Sequence, residues 1–411
     1  MNKNRVVITG YGLTTAIGHT PQEVWRSLVQ GKIGIKALTR FDAGQTSVSN
    51  VGEIRDFPFN RYFANQNKER YDLSTWYALY AANAALEHSG LGQISAEDQE
   101  RTGVYLSTTV GGLKEFQDEI IAMDDHGLDA VKPTFLSKAL YNMLALNVAA
   151  ALGAKGSSKC IATACSSSND AIGQAFRDIK YGNLDMILAG GAEAPITEIG
   201  LGGFDALTAV SRTKDPSRSS IPFDKDRNGF VMGEGAGLLV LESLDHAQKR
   251  GAKIFAEIIG YGSNCDAYHL TSPSPNGIGA KKALQLALRE ADLSPDQVDY
   301  INAHGTSTPA NDLAESQAIV SLFGRQLPVS STKSFTGHLQ GATGAVEAII
   351  TIEALRHNYL PMTAGTKKLD PDVEANIILG QGQEADVTYA LSNTFGFGGD
   401  NSVLAFKKWQ D

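Results

Sequence analysis

Short apolar runs alternate with amphipathic stretches along the whole chain. Val6-Val-Ile-Thr9 is the first run, and it reads as a strand. Thr20-Pro-Gln-Glu23 is then a capping box with proline at the first helical position, and the helix it opens stops at Gly31. Asn183-Leu-Asp-Met-Ile-Leu-Ala-Gly-Gly191 and Gly235-Ala-Gly-Leu-Leu-Val-Leu241 are further strands. This alternation predicts an α/β fold whose strands are buried and largely parallel.

The pattern also repeats. Val7-Ile-Thr-Gly-Tyr-Gly12 resembles Ile258-Ile-Gly-Tyr-Gly262. A helix follows each, over Ser74 to His88 and over Gly279 to Ala291, and then a strand, Gly103 to Ser107 and Val298 to Asn302. Chance similarity of two apolar strands competes with duplication. The reading adopted is a duplicated α/β unit, residues 1–252 and 253–411, with extra segments inserted in the first half. No long linker separates the halves, so they should form one body.

Composition narrows the function. The 411 residues are 42% hydrophobic and 20% charged, as in a soluble globular protein. A net charge of −9 argues against a nucleic-acid binder, and an acidic protein partner would need a local basic patch. Three cysteines, Cys160, Cys165 and Cys265, are too few for a disulfide framework or a zinc site, which suggests a reducing compartment, the cytoplasm. The start, MNKNRVVITGYG, lacks a signal-like apolar segment, and no apolar run is long enough to insert in a membrane.

One cysteine sits where chemistry is possible. In Cys160-Ile-Ala-Thr-Ala-Cys-Ser-Ser-Ser-Asn-Asp170 a strand-like run gives way to serines suited to a helix start. Ala171, Ile172, Ala175, Phe176 and Ile179 then fall on one helical stripe. Free N–H groups and the helix dipole at that end predict a Cys165 thiolate. A small buried hydrophobe is the commoner role of a cysteine, and position alone does not decide between the two.

A nucleophile needs partners, and two of the eight histidines stand out. Asn302-Ala-His-Gly-Thr-Ser-Thr308 places His304 on a glycine turn after a strand, and Lys333-Ser-Phe-Thr-Gly-His338 places His338 beside another. Glu347 lies in the apolar helix Gly341 to Leu355, where a carboxylate must be paired or bound to a cation. Asn393-Thr-Phe-Gly-Phe-Gly-Gly399 offers the close backbone approach that an oxyanion hole requires. Gly10-Tyr-Gly12 fails the dinucleotide spacing, and Gly233-Glu-Gly-Ala-Gly237 lacks a phosphate-loop lysine.

Thr163-Ala-Cys165, Asn302 to Thr308, Lys333 to His338 and Gly396-Phe-Gly-Gly399, in that order, resemble the β-ketoacyl-[acyl-carrier-protein] synthases. Pro222-Phe-Asp-Lys-Asp-Arg-Asn-Gly-Phe-Val-Met-Gly-Glu-Gly-Ala-Gly237 matches as well, and the likeness is closest to the bacterial synthase II branch. The resemblance implies a duplicated thiolase-like fold in five layers, α-β-α-β-α, a homodimer, and decarboxylative condensation of malonyl-carrier protein with a cysteine-bound acyl chain. It implies Cys165 as acyl carrier, with its own N–H and that of Phe397 holding the oxyanion. His304 and His338 would bind the malonyl thioester, and Lys333 would order charge around His338. Thr306 and Thr308 would hold the phosphopantetheine brought by acyl carrier protein. Phe395, Phe397, Gly398 and Gly399 would shape and gate the acyl pocket, and Val110 would limit chain length. No cofactor is required; a structural Na+ or K+ is implied at Asn302, Ala303, Glu347, Ser392 and Asn393. Lys68, Arg70, Arg212, Lys214 and Arg218 are the candidate landing patch for the acidic carrier.

Asp400, Leu144, Leu146 and Thr108-Thr109 depart from the family pattern, which bears on chain length and on the dimer seam. A thiolase would carry a second cysteine where Phe397 stands, and a chain-length factor would lack Cys165. A cysteine hydrolase would need no lysine–histidine loop. A synthase I-like role with unsaturated intermediates stays open.

Overall fold

The computed structural model describes residues 3–410 except 43 and 45. Its centre is a sheet built mainly from ten strands. They are β1 Val6–Thr14, β2 Thr102–Ser107, β3 Ser158–Ile161, β4 Met186–Glu193, β5 Gly235–Ser243, β6 Ala256–Cys265, β7 Tyr300–Asn302, β8 Pro328–Ser330, β9 Tyr389–Phe395 and β10 Asp400–Lys408. The first five lie in the order β3-β2-β4-β5-β1 and the second five in the order β8-β7-β9-β10-β6. One five-strand arrangement thus occurs twice. Within each, two pairings are parallel and two antiparallel, because β5 and β10 run against their neighbours. Four strands in each five run in one direction, as expected, but burial is not general: in edge strand β3 Ser158 is exposed and only Ile161 is buried. The two arrangements join edge to edge where Val6, Val7 and Ile8 pair with Ile258, Glu257 and Ala256.

Seven helices bear on the argument: α1 Pro21–Val29, α2 Leu73–His88, α3 Tyr141–Leu152, α4 Ser167–Lys180, α5 Ile278–Ala291, α6 Pro309–Phe323 and α7 Thr343–His357. Thr20 caps α1 by accepting the Glu23 N–H at 3.2 Å, while the Glu23 carboxylate takes the His19 N–H at 2.8 Å in place of the Thr20 N–H that a full capping box would use. Helices α4 and α7 pack against each other between the two five-strand arrangements, with α2 and α3 outside one and α5 and α6 outside the other. This is the five-layered order.

The repeated Gly-Tyr-Gly now has a physical reason. A Cβ at Gly12 would lie 2.3 Å from the Ala81 carbonyl of α2, and one at Gly262 would lie 2.1 Å from the Ala283 carbonyl of α5. Each outer helix therefore sits on its strand at a separation only glycine allows. The tyrosines between the glycines face inward and cross over. Tyr11 donates to Glu353 on α7, and Tyr261 donates to Asp170 on α4 at 2.6 Å. Each half thereby anchors a central helix of the other, and one hydrophobic core draws residues from both. The polar first turn of α4 is buried for the same reason. Ser168 accepts the Ala345 N–H at 3.0 Å, and Asn169 donates to the Ser392 carbonyl at 3.0 Å. Helix α7 is buried from Thr343 to Leu355, matching its apolar sequence. Among the described residues no helix is long and apolar enough to cross a membrane.

Candidate active site

The chain leaves β3 and turns sharply before α4. Ala164 takes φ +50°, a left-handed conformation that costs a non-glycine residue energy and recurs at functional turns. Side chains tie the turn down: the Thr163 N–H donates to Ser167 Oγ at 2.8 Å, Ser166 Oγ to the Thr163 carbonyl at 2.6 Å, and Thr163 Oγ1 to Asp170 at 2.6 Å. Ser166 is the cap residue, so Cys165 stands one position outside the helix.

The sulfur faces a pocket of about 290 Å³. His304, His338, Thr306, Thr308, Phe395, Phe397 and Gly399 line it with Cys165. The Thr306 and Thr308 hydroxyls lie 2.9 Å apart. Three sequence candidates stand elsewhere. The Val110 N–H is drawn to Glu193 at 3.3 Å, the Gly398 N–H donates to the Leu270 carbonyl at 2.7 Å, and neither residue lines the pocket. Lys333 is buried apart from the pocket lining and paired with Glu347 at 2.7 Å.

The thiolate expected at Cys165 is not what the site holds at rest. Burial pushes the thiol up to about 12, although the Lys333 charge and the N–H groups of Phe397 and Cys165 itself pull the other way. Glu193 adds to the rise. The reason is position: the sulfur lies just outside the helix and is only 7% exposed, so lost hydration outweighs the dipole. Cys165 must therefore lose its proton as it attacks. Alkylation at Cys165, followed by peptide mass spectrometry, should accelerate about tenfold per pH unit between roughly pH 7 and pH 10. A plateau near neutrality would restore the thiolate.

Both histidines are held from behind. Glu315 on α6 accepts the backbone N–H groups of His304 at 2.8 Å and Gly305 at 2.7 Å, which fixes the turn after β7. The His338 N–H donates to the Val231 carbonyl at 2.7 Å. His338 Nδ1 receives the Gln340 N–H at 3.3 Å and contacts Thr343 Oγ1 at 2.9 Å, so the ring proton belongs on Nε2. His304 Nδ1 has no partner among the described residues. The two rings stand 5.3 Å apart at 85°. Burial lowers both imidazoles well below the ordinary histidine value, and the Lys333 charge adds to the effect. Both are neutral in the physiological range.

Beneath Lys333, the Glu347 carboxyl is pushed up by burial against the pull of the lysine. Glu347 Oε2, Asn302 Oδ1, Ser392 Oγ and Asn393 Oδ1 are buried without partners among the described residues. A set of hard oxygens of this kind, one from a carboxylate, fits a small cation.

The basic candidates divide. Lys68, Arg70, Arg212 and Lys214 are exposed, though Arg212 pairs with Asp205 at 2.8 Å. Arg218 does not belong with them: its guanidinium is committed to Asp224 at 2.8 Å and to the Gly365 carbonyl at 2.6 Å. Asp400 closes the glycine turn through its backbone, accepting the Gly396 N–H at 2.6 Å. Leu144 is buried in the core, Leu146 is exposed on α3, and neither lines the pocket.

Three contributors escaped the sequence reading. Glu193, at the end of β4, gathers Thr108 Oγ1 and the Thr109 and Gly341 N–H groups within 2.6–2.9 Å. Glu315 is the second, and Gln340, beside the sulfur, is the third. A glutamine inside the apolar run Leu339 to Ala342 was the available signal.

The chain matches the model of the β-ketoacyl synthase N-terminal domain over residues 3–247 and that of the C-terminal domain over residues 255–367. It is 43% identical to a Synechocystis protein named 3-oxoacyl-[acyl-carrier-protein] synthase 2, covering 100% of this chain and 99% of that one. It is 41% identical to the protein of that name from Vibrio harveyi, covering 99% of each. A β-ketoacyl synthase structure from Burkholderia phymatum superposes with TM-score 0.93 at 34% identity, covering 99% of this chain and 100% of the other. A type II polyketide ketosynthase solved in complex with its acyl-carrier protein gives TM-score 0.91 at 31% identity, with the same coverage. A cysteine on a strained turn that shares its pocket with two buried histidines, in a fold shared over the full length with these proteins, places the chain in the β-ketoacyl synthase family.

Proposed function

We propose that the protein condenses malonyl-[acyl-carrier-protein] with an acyl chain carried on Cys165, releasing carbon dioxide and 3-oxoacyl-[acyl-carrier-protein]. One observation carries this reading: a buried thiol met by two backbone N–H groups shares its pocket with two neutral imidazoles. The relatives named as synthase 2 support it.

In the first step the thiol attacks the carrier-bound thioester. The N–H groups of Cys165 and Phe397 take the developing oxyanion. The proton passes to His304, whose Nδ1 has no partner among the described residues, and then to the departing carrier thiolate. In the second step the malonyl thioester oxygen accepts from His338 Nε2–H and from His304. Those donors stabilise the enolate left as carbon dioxide departs. No strong base is required, because breaking the carbon–carbon bond makes the nucleophile. The enolate carbon attacks the acyl carbonyl, sulfur leaves as thiolate, and a proton from solvent restores the thiol.

Acyl-loaded and malonyl-loaded carrier protein incubated with the enzyme should yield ketoacyl product and carbon dioxide in equal amounts. Free fatty acid without carbon dioxide would replace this reading with a hydrolase.

The carrier would dock on the exposed cations Arg212 and Lys214, which follow the pocket-lining segment Leu207–Ala209, with Lys68 and Arg70 on a second loop. Reversing Arg212 and Lys214 to glutamate should weaken carrier binding roughly tenfold at low salt, while acylation from a small thioester stays within about twofold of the parent. Equal carrier affinity would remove this patch. The oxygens of Asn302, Glu347, Ser392 and Asn393, with the Ala303 carbonyl, would hold a monovalent cation and balance the second Glu347 oxygen. A homodimer would cover the exposed apolar side chains Ile120, Ile121, Leu128, Leu136, Leu140 and Leu146. Three free thiols suit a reducing cytoplasm.

A further inference from the structure

We propose that Gln340 makes the acyl pocket selective for chains bearing a hydroxyl or keto oxygen near the thioester, an inference that rests on the condensing-enzyme reading. Gln340 is 1% exposed and lines the pocket beside Cys165. The Cys165 thiol faces its Oε1 at 3.8 Å, and among the described residues no atom accepts from its Nε2. A buried amide nitrogen with two unused donors, beside the atom that will carry the substrate, is a recognition group in search of an acceptor.

The backbone holds that amide in place. Gln340 adopts φ +50°, its own N–H is committed to His338 Nδ1 at 3.3 Å, and the next N–H, of Gly341, to Glu193 at 2.9 Å. Backbone strain held by two main-chain bonds is the mark of a positioned residue rather than a filler. The lining also carries the apolar side chains Phe204, Leu207, Ala209 and Phe230, beside polar residues that include Asn228, Thr306 and Thr308. A plain alkyl chain laid there would offer that amide no partner, whereas a chain oxygen would satisfy it.

Acylation sharpens the effect. Once the sulfur carries an acyl group it has no S–H, so Oε1 loses its donor when the chain arrives. Both ends of the amide are then free. A hydroxyl a few atoms along the chain from sulfur can donate to Oε1 or accept from Nε2, and a ketone can accept from Nε2. Because hydrogen bonds reach only ~3 Å, oxygens farther down the chain lie beyond the amide. A site built to bond an oxygen discriminates against the analogue lacking it more strongly than an apolar site discriminates by length.

The test compares octanoyl-pantetheine with 3-hydroxyoctanoyl-pantetheine, equal in length, as acyl donors. The readout is the rate of mass gain at Cys165 in the full-length protein. The hydroxylated chain should load roughly tenfold faster, and Gln340→Leu should bring the ratio to about one or below, chiefly by speeding octanoyl loading. Equal loading by the parent protein would overturn the inference, whatever the variant does. So would a Gln340→Leu variant that shifts the pH dependence of Cys165 alkylation but keeps the parent ratio, since Gln340 would then serve the thiol alone. Failure of both thioesters to label Cys165 would bring down the condensing-enzyme reading itself; labelling without preference would bring down only this one.

Discussion

Replacing Cys165 with alanine should lower carbon–carbon bond formation by roughly four orders of magnitude or more, because the acyl chain then has no covalent station. The decarboxylating half of the site does not use the sulfur. His338 keeps its Nε2 proton through the contacts at Nδ1, and His304 keeps its turn through Glu315. Carbon dioxide release from malonyl-carrier protein should therefore persist in the Cys165→Ala protein while ketoacyl product disappears. Separate assays for the two products read this split. Condensation surviving the substitution would overturn the assignment of the nucleophile; loss of carbon dioxide together with product would mean that the two chemistries are not separable as the geometry indicates.

Lys333→Met should produce the largest loss of stability among the site substitutions, about 3–5 kcal/mol, because it strands the Glu347 carboxylate in a dry interior. Urea unfolding reads the loss, and the double substitution Lys333→Met/Glu347→Gln should recover most of it by removing the orphaned charge. Activity should not return with stability. The Lys333 charge lowers the titration of both histidines and opposes the rise at Cys165. Without it the imidazoles take up protons at higher pH, so the acid limb of the pH–rate profile should move upward in the double variant. The thiol should also become harder to ionise. A stable double variant with the parent pH profile would reduce Lys333 to a structural partner of Glu347.

Much of the frame was legible one stretch at a time. Alternating runs announced the strands, Thr20 to Glu23 announced the start of α1, and two Gly-Tyr-Gly strands announced the duplication. Those signals are local, since capping, periodicity and close approach to a neighbouring helix each leave a mark within a few residues. The motifs around Cys165, His304 and His338 were legible in the same way, because each sits on a turn that its own neighbours build.

What decided the chemistry came from far along the chain. Contacts from the other half, Tyr261 to Asp170 and Ser168 to Ala345 among them, surround the start of α4, and burial at Cys165 works against the expected thiolate. Arg218 looked free until Asp224 and Gly365 closed on it. Gln340, Glu193 and Glu315 gained meaning only when the two halves met around the sulfur and the two imidazoles. Residue types and turns are written in short-range preferences, so the sequence alone determined which groups the site contains. Their charge states depend on how much water and how many charges stand nearby, and only the packing of the two halves sets that.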